Sequence, residues 1–189
     1  MQQKKAIVLV GMPGAGKSVC VNYLKEKGLP SSYFGGITIE EVKKRGMEVN
    51  EANERFVRED IRAKEGKGAY ALRIITQVEN QFDEGHDYVV VDGLYSWTEY
   101  KIFKETLEDR AIIIAVVSPR HLRHKRLASR AIRPLADEEA TIRDYAEIEN
   151  LEKGGPIANA DYFLANEESV EQLQADLAKL LDQIGINLD

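Results

Sequence analysis

Eight residues near the amino end, Gly11–Ser18 (GMPGAGKS), constrain this chain more than any other stretch. They follow Lys4–Val10 (KKAIVLV), a short apolar run rich in β-branched residues, and precede VCVNYLKEKG, which reads as a helix ending at Gly28. A strand, a turn of the form GxxxxGK[ST] and then a helix is the context in which such a turn cradles phosphate. Gly11, Gly14 and Gly16 free the backbone to curl, and Met12, Pro13 and Ala15 complete the loop. The loop N–H groups then point at anion oxygens. The helix opening at Lys17, Ser18 and Val19 adds the positive end of its dipole. Lys17 has the reach for terminal phosphates, and the Ser18 hydroxyl suits Mg²⁺. The alternative is a glycine-rich turn that merely joins strand to helix. The complete pattern, with both flanks correct, argues for the phosphate loop.

With 189 residues the chain is long enough for one well-filled domain, expected to span residues 1–189. Its 43% hydrophobic and 31% charged content is ordinary for a globular protein. No apolar run approaches a membrane span, and MQQKKAIVLVG lacks a signal-peptide cleavage pattern. A cytoplasmic protein with no membrane partner is therefore expected. The net charge of −6 argues against a nucleic-acid binder but leaves room for a local cluster of cations around a phosphate ligand. The single cysteine, Cys20, excludes an internal disulfide and falls on the helix side expected to face the sheet, a core position.

Along the chain, Leu29–Phe34 (LPSSYF) reads as a short second strand and Gly35–Gly36 as a turn. ITIEEVKKRG then predicts a helix with Thr38 as N-cap and Gly46 as stop. NEANERFVREDIRAKEGKG, from about Asn50, and AYALRIITQVENQFDEG are also helical. The helical stretch, about residues 35–85, exceeds what a crossover needs and suits an insertion that holds a second substrate. Tyr88–Val91 (YVVV), ending in Asp92, and Ala111–Val117 (AIIIAVV) are continuous apolar strands. Asp161–Ala165 is a final strand, followed by a helix from about Glu167 to Ile184. Unbroken apolar strands separated by helices indicate an α/β fold with a parallel sheet covered on both faces.

Two groups of arginines and one carboxylate complete the candidate site. Asp92 closes the YVVVD strand, where an acid holds Mg²⁺ or its water shell; otherwise it caps the following turn. In SPRHLRHKRLASRAIRP, Arg123, Arg126 and Arg130 fall at helical spacings, with Arg133 before the break at Pro134. Arg143 lies in reach if the two segments form a hairpin. Residues of about 120–145 thus read as a lid that neutralises a transferring phosphoryl group, or else as a solvated basic helix paired with Glu138, Glu139 and Glu147. Arg55, Arg58 and Arg62, followed by Lys64, Lys67 and Arg73, make a second cluster interleaved with Glu54, Glu59, Asp60 and Glu65. It reads equally as an anion site or a salt-bridged helix face. Tyr70 and Phe56 are packing residues able to stack on a base, and His86, His121 and His124 read as surface residues.

RLASRAIRPLADEEATIRDY resembles the RL…R…R…D…R lid pattern of adenylate, uridylate and cytidylate kinases, and VVVDG is similar to their strand ending in Asp-Gly. GMPGAGKS, RGMEVN, REDIRAKEGKGAYALRII, VVVDGLYSWTE and IANADYFLAN together resemble a set of adenylate-kinase-related proteins labelled AAA-family ATPases, over most of the chain. NADYFLANEESVEQLQADLAKLL is similar to the end of dephospho-CoA kinase. The resemblance implies a three-layer P-loop fold with a five-stranded parallel sheet, an NMP-binding segment and a lid, and Asn166 beside the nucleotide base. The chain departs from the pattern in two places. It has no arginine in GGITIEEVKKRG before Arg45, and Tyr95 stands where DG-x-R-S has arginine.

The expected activity is ATP·Mg²⁺-dependent phosphotransfer to a small phosphorylated acceptor, first a nucleoside monophosphate, by a monomer or homodimer. Residues Gly11–Val19 and Asn166 would hold the donor, and Ser18 and Asp92 the metal. Lys17, Asp92, Arg126, Arg130 and Arg133 would serve the transfer, and Arg58, Arg62 and Arg73 the acceptor. Dephospho-CoA kinase is the enzyme alternative, and a nucleotide-binding regulatory ATPase the alternative of another class.

Overall fold

The apolar run at the amino end becomes β1 (Lys5–Val10), the central strand of a five-stranded sheet. A computed structural model describes residues 3–131 and 134–188. β1 pairs in parallel with β3 (Tyr88–Asp92) on one side and β4 (Ala111–Val117) on the other. β2 (Ser31–Tyr33) pairs with β3 and β5 (Tyr162–Ala165) with β4, also in parallel, giving the order β2-β3-β1-β4-β5. From β1 the chain crosses to the edge strand β2, returns to β3 beside β1, and then continues on the other side through β4 to β5, so the carboxyl ends of β3, β1 and β4 lie together at the switch in direction. A crevice forms there in open parallel sheets.

Successive residues of a strand face opposite sides, and both sides of β1 are buried. Ala6, Val8 and Val10 join one core with α2 (Phe34–Lys44), α3 (Glu51–Glu65), α4 (Ala69–Asp83) and α5 (Trp97–Leu107). Ile7 and Leu9 join the other, with α1 (Lys17–Glu26) and α9 (Val170–Gln183). The result is a three-layer α/β P-loop fold. Among the described residues no helix is long and apolar enough to cross a membrane.

Cys20 lies fully buried in the second core, and burial pushes its thiol up to about 12, against smaller lowering influences from its backbone and Lys17. Since the thiolate is the nucleophile, native protein should resist iodoacetamide at pH 8. Mass spectrometry should show the single alkylation only after unfolding in guanidinium; rapid labelling of the native chain would contradict this packing.

Several sequence expectations are corrected here. Gly35 and Gly36 belong to α2, which starts at Phe34 rather than after a turn, and Thr38 lies inside the helix instead of capping it. Tertiary packing decides this start. Phe34 is buried against Tyr95 and Phe103, with ring centroids 5.7 and 5.9 Å away, and a Cβ at Gly35 would collide with the Tyr33 ring. Thr38 is buried and its hydroxyl bonds the Tyr70 hydroxyl at 2.8 Å. α6 (Arg120–Ala128) ends before Arg130, so the three-arginine helical row does not form. At the exit, the Ser129 hydroxyl donates to the Arg126 carbonyl, and the Leu135 N–H folds back onto the Leu127 carbonyl. His124 is buried, not a surface residue.

Candidate active site

The loop between β1 and α1 is gripped from behind. Gly14 has φ +78° and Gly16 φ +106°, both left-handed. A Cβ on Gly14 would lie 2.6 Å from the Arg123 carbonyl oxygen, and one on Gly16 would strike the Asn166 amide. Arg123 Nη1 donates to the Pro13 carbonyl at 3.0 Å, and Asn166 Nδ2 to the Ala15 carbonyl at 2.8 Å. Two loop carbonyls are thus tied into the protein. The N-terminus of α1 has no side-chain cap and no acid in its first turn. α2, α4 and α6 also start without a side-chain cap or an acid in the first turn, so the glycine loop before α1, and not the missing cap, is what marks this helix start. An uncapped helix start behind a glycine cradle is fitted to an anion.

Gly11 through Val19 line a cleft of about 1250 Å³, together with Asp92, Arg58, Arg62, Arg126 and Arg130. Lys17, the first residue of α1, pairs with Asp92, the last of β3. Among the described residues no cluster of three or more His, Cys, Asp or Glu is arranged to hold a metal. Ser18 and Asp92 both line the cleft, and a hydroxyl with one carboxylate is a donor set that suits Mg²⁺ when water and phosphate oxygens complete its shell.

The segment expected to form a lid rests on the packing of α6 against α7 (Asp137–Glu149). Arg123 and Asp144, both buried, form a bidentate pair at 2.9 and 2.7 Å. His124 bridges Asp137 (Nδ1, 2.6 Å) and Asp144 (Nε2, 3.1 Å). Arg123 is therefore a strut between phosphate loop and lid rather than a cation offered to the cleft. Arg126 hydrogen-bonds the Ser118 hydroxyl and the Asn166 carbonyl and side-chain oxygens at 3.0–3.2 Å. Burial, and then the neighbouring Arg143 guanidinium, lower the affinity of Arg130 for its charge. Like charges pressed together at a cleft wall are relieved by an anion. Arg133 lies outside the described residues.

The opposite wall is α3. Its arginines are matched by acids: Arg55 to Glu59 at 2.9 Å, Arg58 to Glu51 at 3.2 Å, and Arg62 to Glu99 at 3.6 Å. Arg62 also lies 5.3 Å from the Tyr70 ring centroid. The salt-bridged reading of this cluster thus describes its contacts, although Arg58 and Arg62 do face the cleft. Arg73 does not line the cleft; it pairs with Glu65 at 2.5 Å instead. Asn166 likewise does not line it. Its amide is used in supporting the loop and Arg126, and it borders a separate pocket of about 260 Å³ toward α9. Phe56 is exposed.

The sequence marks Tyr95 only as a departure from a pattern, and it gives no sign of Lys153 in the cleft wall or of Glu99 behind it. Glu99, fully buried, accepts from the Tyr95 and Ser96 N–H groups through Oε2, while Oε1 has no hydrogen-bond partner among the described residues. Burial raises its carboxyl above the usual range. Tyr95 packs on Phe34 and lines the cleft. Lys153 puts its ammonium 4.8 Å from the Tyr95 ring centroid, so a cation does reach the position where the sequence has tyrosine for arginine. Lys153 stands immediately before the short helix α8 (Gly154–Ala158), and no local sequence pattern reveals this contact.

A profile described as AAA domain matches residues 7–150. The chain is 36% identical over 181 residues to the UPF0200 protein TK1334 of Thermococcus kodakarensis, covering 94% of this chain and 97% of that one. Among solved structures, TT1252 from Thermus thermophilus superposes with a TM-score of 0.67 at 20% identity, covering 96% of this chain and 98% of its own. A shikimate kinase from Bacteroides thetaiotaomicron gives a TM-score of 0.58 at 12% identity, covering 95% and 98%. At these identities the two structures speak for the fold.

Proposed function

The chain belongs to the UPF0200 family and carries its AAA domain over residues 7–150, and from that footing we propose that it is an ATP·Mg²⁺-dependent phosphotransferase acting on a small phosphorylated acceptor, first of all a nucleoside monophosphate. The observation that carries the reading is one cleft lined by the glycine loop, Lys17 and Asp92 together with Arg126, Arg130 and Arg143. At about 1250 Å³ it exceeds the usual span for one small ligand and leaves room for donor and acceptor together. The loop N–H groups and Lys17 bind the donor phosphates. The lid arginines neutralise charge as it spreads over the transferring oxygens. Bound Mg²⁺, held by Ser18, Asp92 and phosphate oxygens, would polarise those phosphates and fix their orientation. Catalysis then rests on positioning, electrostatics and exclusion of water, with no dedicated protein nucleophile.

The acid pairing of Arg55, Arg58 and Arg62 favours a second reading, a nucleotide-binding regulatory ATPase without a phosphate acceptor. The C-terminal resemblance keeps dephospho-CoA among the acceptors. ATP consumption with and without a panel of NMPs, dNMPs and dephospho-CoA, with products identified by mass spectrometry, separates these readings. A kinase is stimulated by one acceptor and yields its phosphorylated form; the same slow hydrolysis throughout would establish the regulatory ATPase instead.

A further inference from the structure

The chain does not run straight on from α7. Glu152 takes φ +56°, a left-handed conformation uncommon for residues other than glycine. The Lys153 N–H bonds back to the Glu147 carbonyl at 3.1 Å, and the Glu152 N–H to Ile148 at 3.1 Å. This doubled-back turn places Lys153 under the end of α7, where it lines the cleft and is only 5% exposed. A buried ammonium is costly unless it is compensated. Its acid partner is Glu147, which also faces Arg143 at 3.6 Å. Two cations therefore share one carboxylate, and Arg143 in turn presses on Arg130. Burial is the main influence lowering the proton affinity of Lys153; Glu147 opposes it, and Lys17 and Arg143 add to it. The wall is short of negative charge.

Building on the phosphotransferase reading, we propose that Lys153, assisted by Arg143, binds the phosphoryl oxyanion of the acceptor. The side of the cleft decides between donor and acceptor. Lys17 belongs to the glycine loop, whereas the Lys153 ammonium lies on the Tyr95 ring, which packs against Phe34 of α2, in the helical stretch expected to hold the second substrate. Glu147 is then a placeholder for the ligand: it holds the two cations and yields part of their charge when phosphate arrives.

The test is calorimetric titration of inorganic phosphate into protein loaded with Mg²⁺ and a non-hydrolysable ATP analogue, so that the position of the donor's terminal phosphate is filled. Lys153→Met should weaken phosphate by at least about tenfold, the loss of one charge-assisted hydrogen bond. Binding of the analogue should stay within about twofold. Lys153→Arg should keep most of the phosphate affinity. Glu147→Gln, which removes the competing acid, should tighten phosphate by roughly threefold, a gain that a merely structural lysine would not give. The same variant carries the test if Lys153→Met fails to fold. Unchanged phosphate affinity in Lys153→Met, or no phosphate binding by the wild type, overturns the proposal. Weaker binding of the analogue with unchanged Mg·ADP and phosphate would assign Lys153 to the donor and overturn it too. If the wild type binds neither Mg·ADP nor the analogue, the phosphotransferase reading fails, while phosphate binding to the nucleotide-free protein still decides the role of Lys153.

Discussion

Lys17→Ala should cut turnover by about 10²–10³-fold or more, the usual cost of removing one preorganised donor from a developing charge, while the protein remains folded. Lys17 opens α1 and pairs with Asp92. Both side chains keep roughly a fifth of their surface in water, at 17% and 20%. Breaking such a partly solvated pair costs at most about 1 kcal/mol, so thermal melting should move by only a few degrees. The two readouts separate the roles of the residue: a large loss of rate with a small loss of stability is what a phosphate-binding lysine gives. Activity near that of the wild type would remove the donor-site assignment. A collapse of the melting temperature would show instead that the Lys17–Asp92 pair is a structural strut.

The glycine loop and the strands beside it are legible because their physics is local. Eight contiguous residues specify the glycine cradle and the helix start, and the unbroken aliphatic runs of β1, β3 and β4 report strands buried on both faces. Cys20 in the core follows from the same local pattern. What escaped depends on distant partners. His124 is polar by type, yet it is buried because carboxylates 13 and 20 residues further along receive both ring nitrogens. Arg130 continues a helical spacing past the point where Ser129 and Leu135 turn the chain away. The start of α2 is set by the close approach of Tyr33 to a glycine, which no propensity reports. Lys153 reaches Tyr95 only because a left-handed Glu152 reverses the chain. Composition and spacing reveal which side chains can bind phosphate, but only the tertiary fold selects those left facing the cleft.

Asp144→Ala should be the most destabilising single change at this site. Asp144 receives both Nη atoms of Arg123 and the Nε2 of His124, all within the buried seam between α6 and α7. Its removal strands a guanidinium whose side chain is only 9% exposed, and an uncompensated buried charge costs about 3–5 kcal/mol. For a chain of this size that corresponds to roughly 6–20 °C in melting temperature. Burial by itself would raise the Asp144 carboxyl, but the hydrogen bonds from Arg123 and His124 outweigh it and hold the group below its ordinary 3.8. A depressed carboxylate contributes stability that is fully present above the unfolded value and drains away as pH falls through the folded one. The wild type should therefore lose stability below about pH 4 more steeply than the variant does. Replacing both partners, as Arg123→Met with Asp144→Leu, should recover most of the loss, since no buried charge is then left unpaired. That double variant still lacks the bond from Arg123 to the Pro13 carbonyl, so its affinity for Mg·ATP should fall although its melting temperature returns. If Asp144→Ala melts within about 1 kcal/mol of the wild type, the seam is not buried in solution, and the phosphate loop and lid are not joined by this strut.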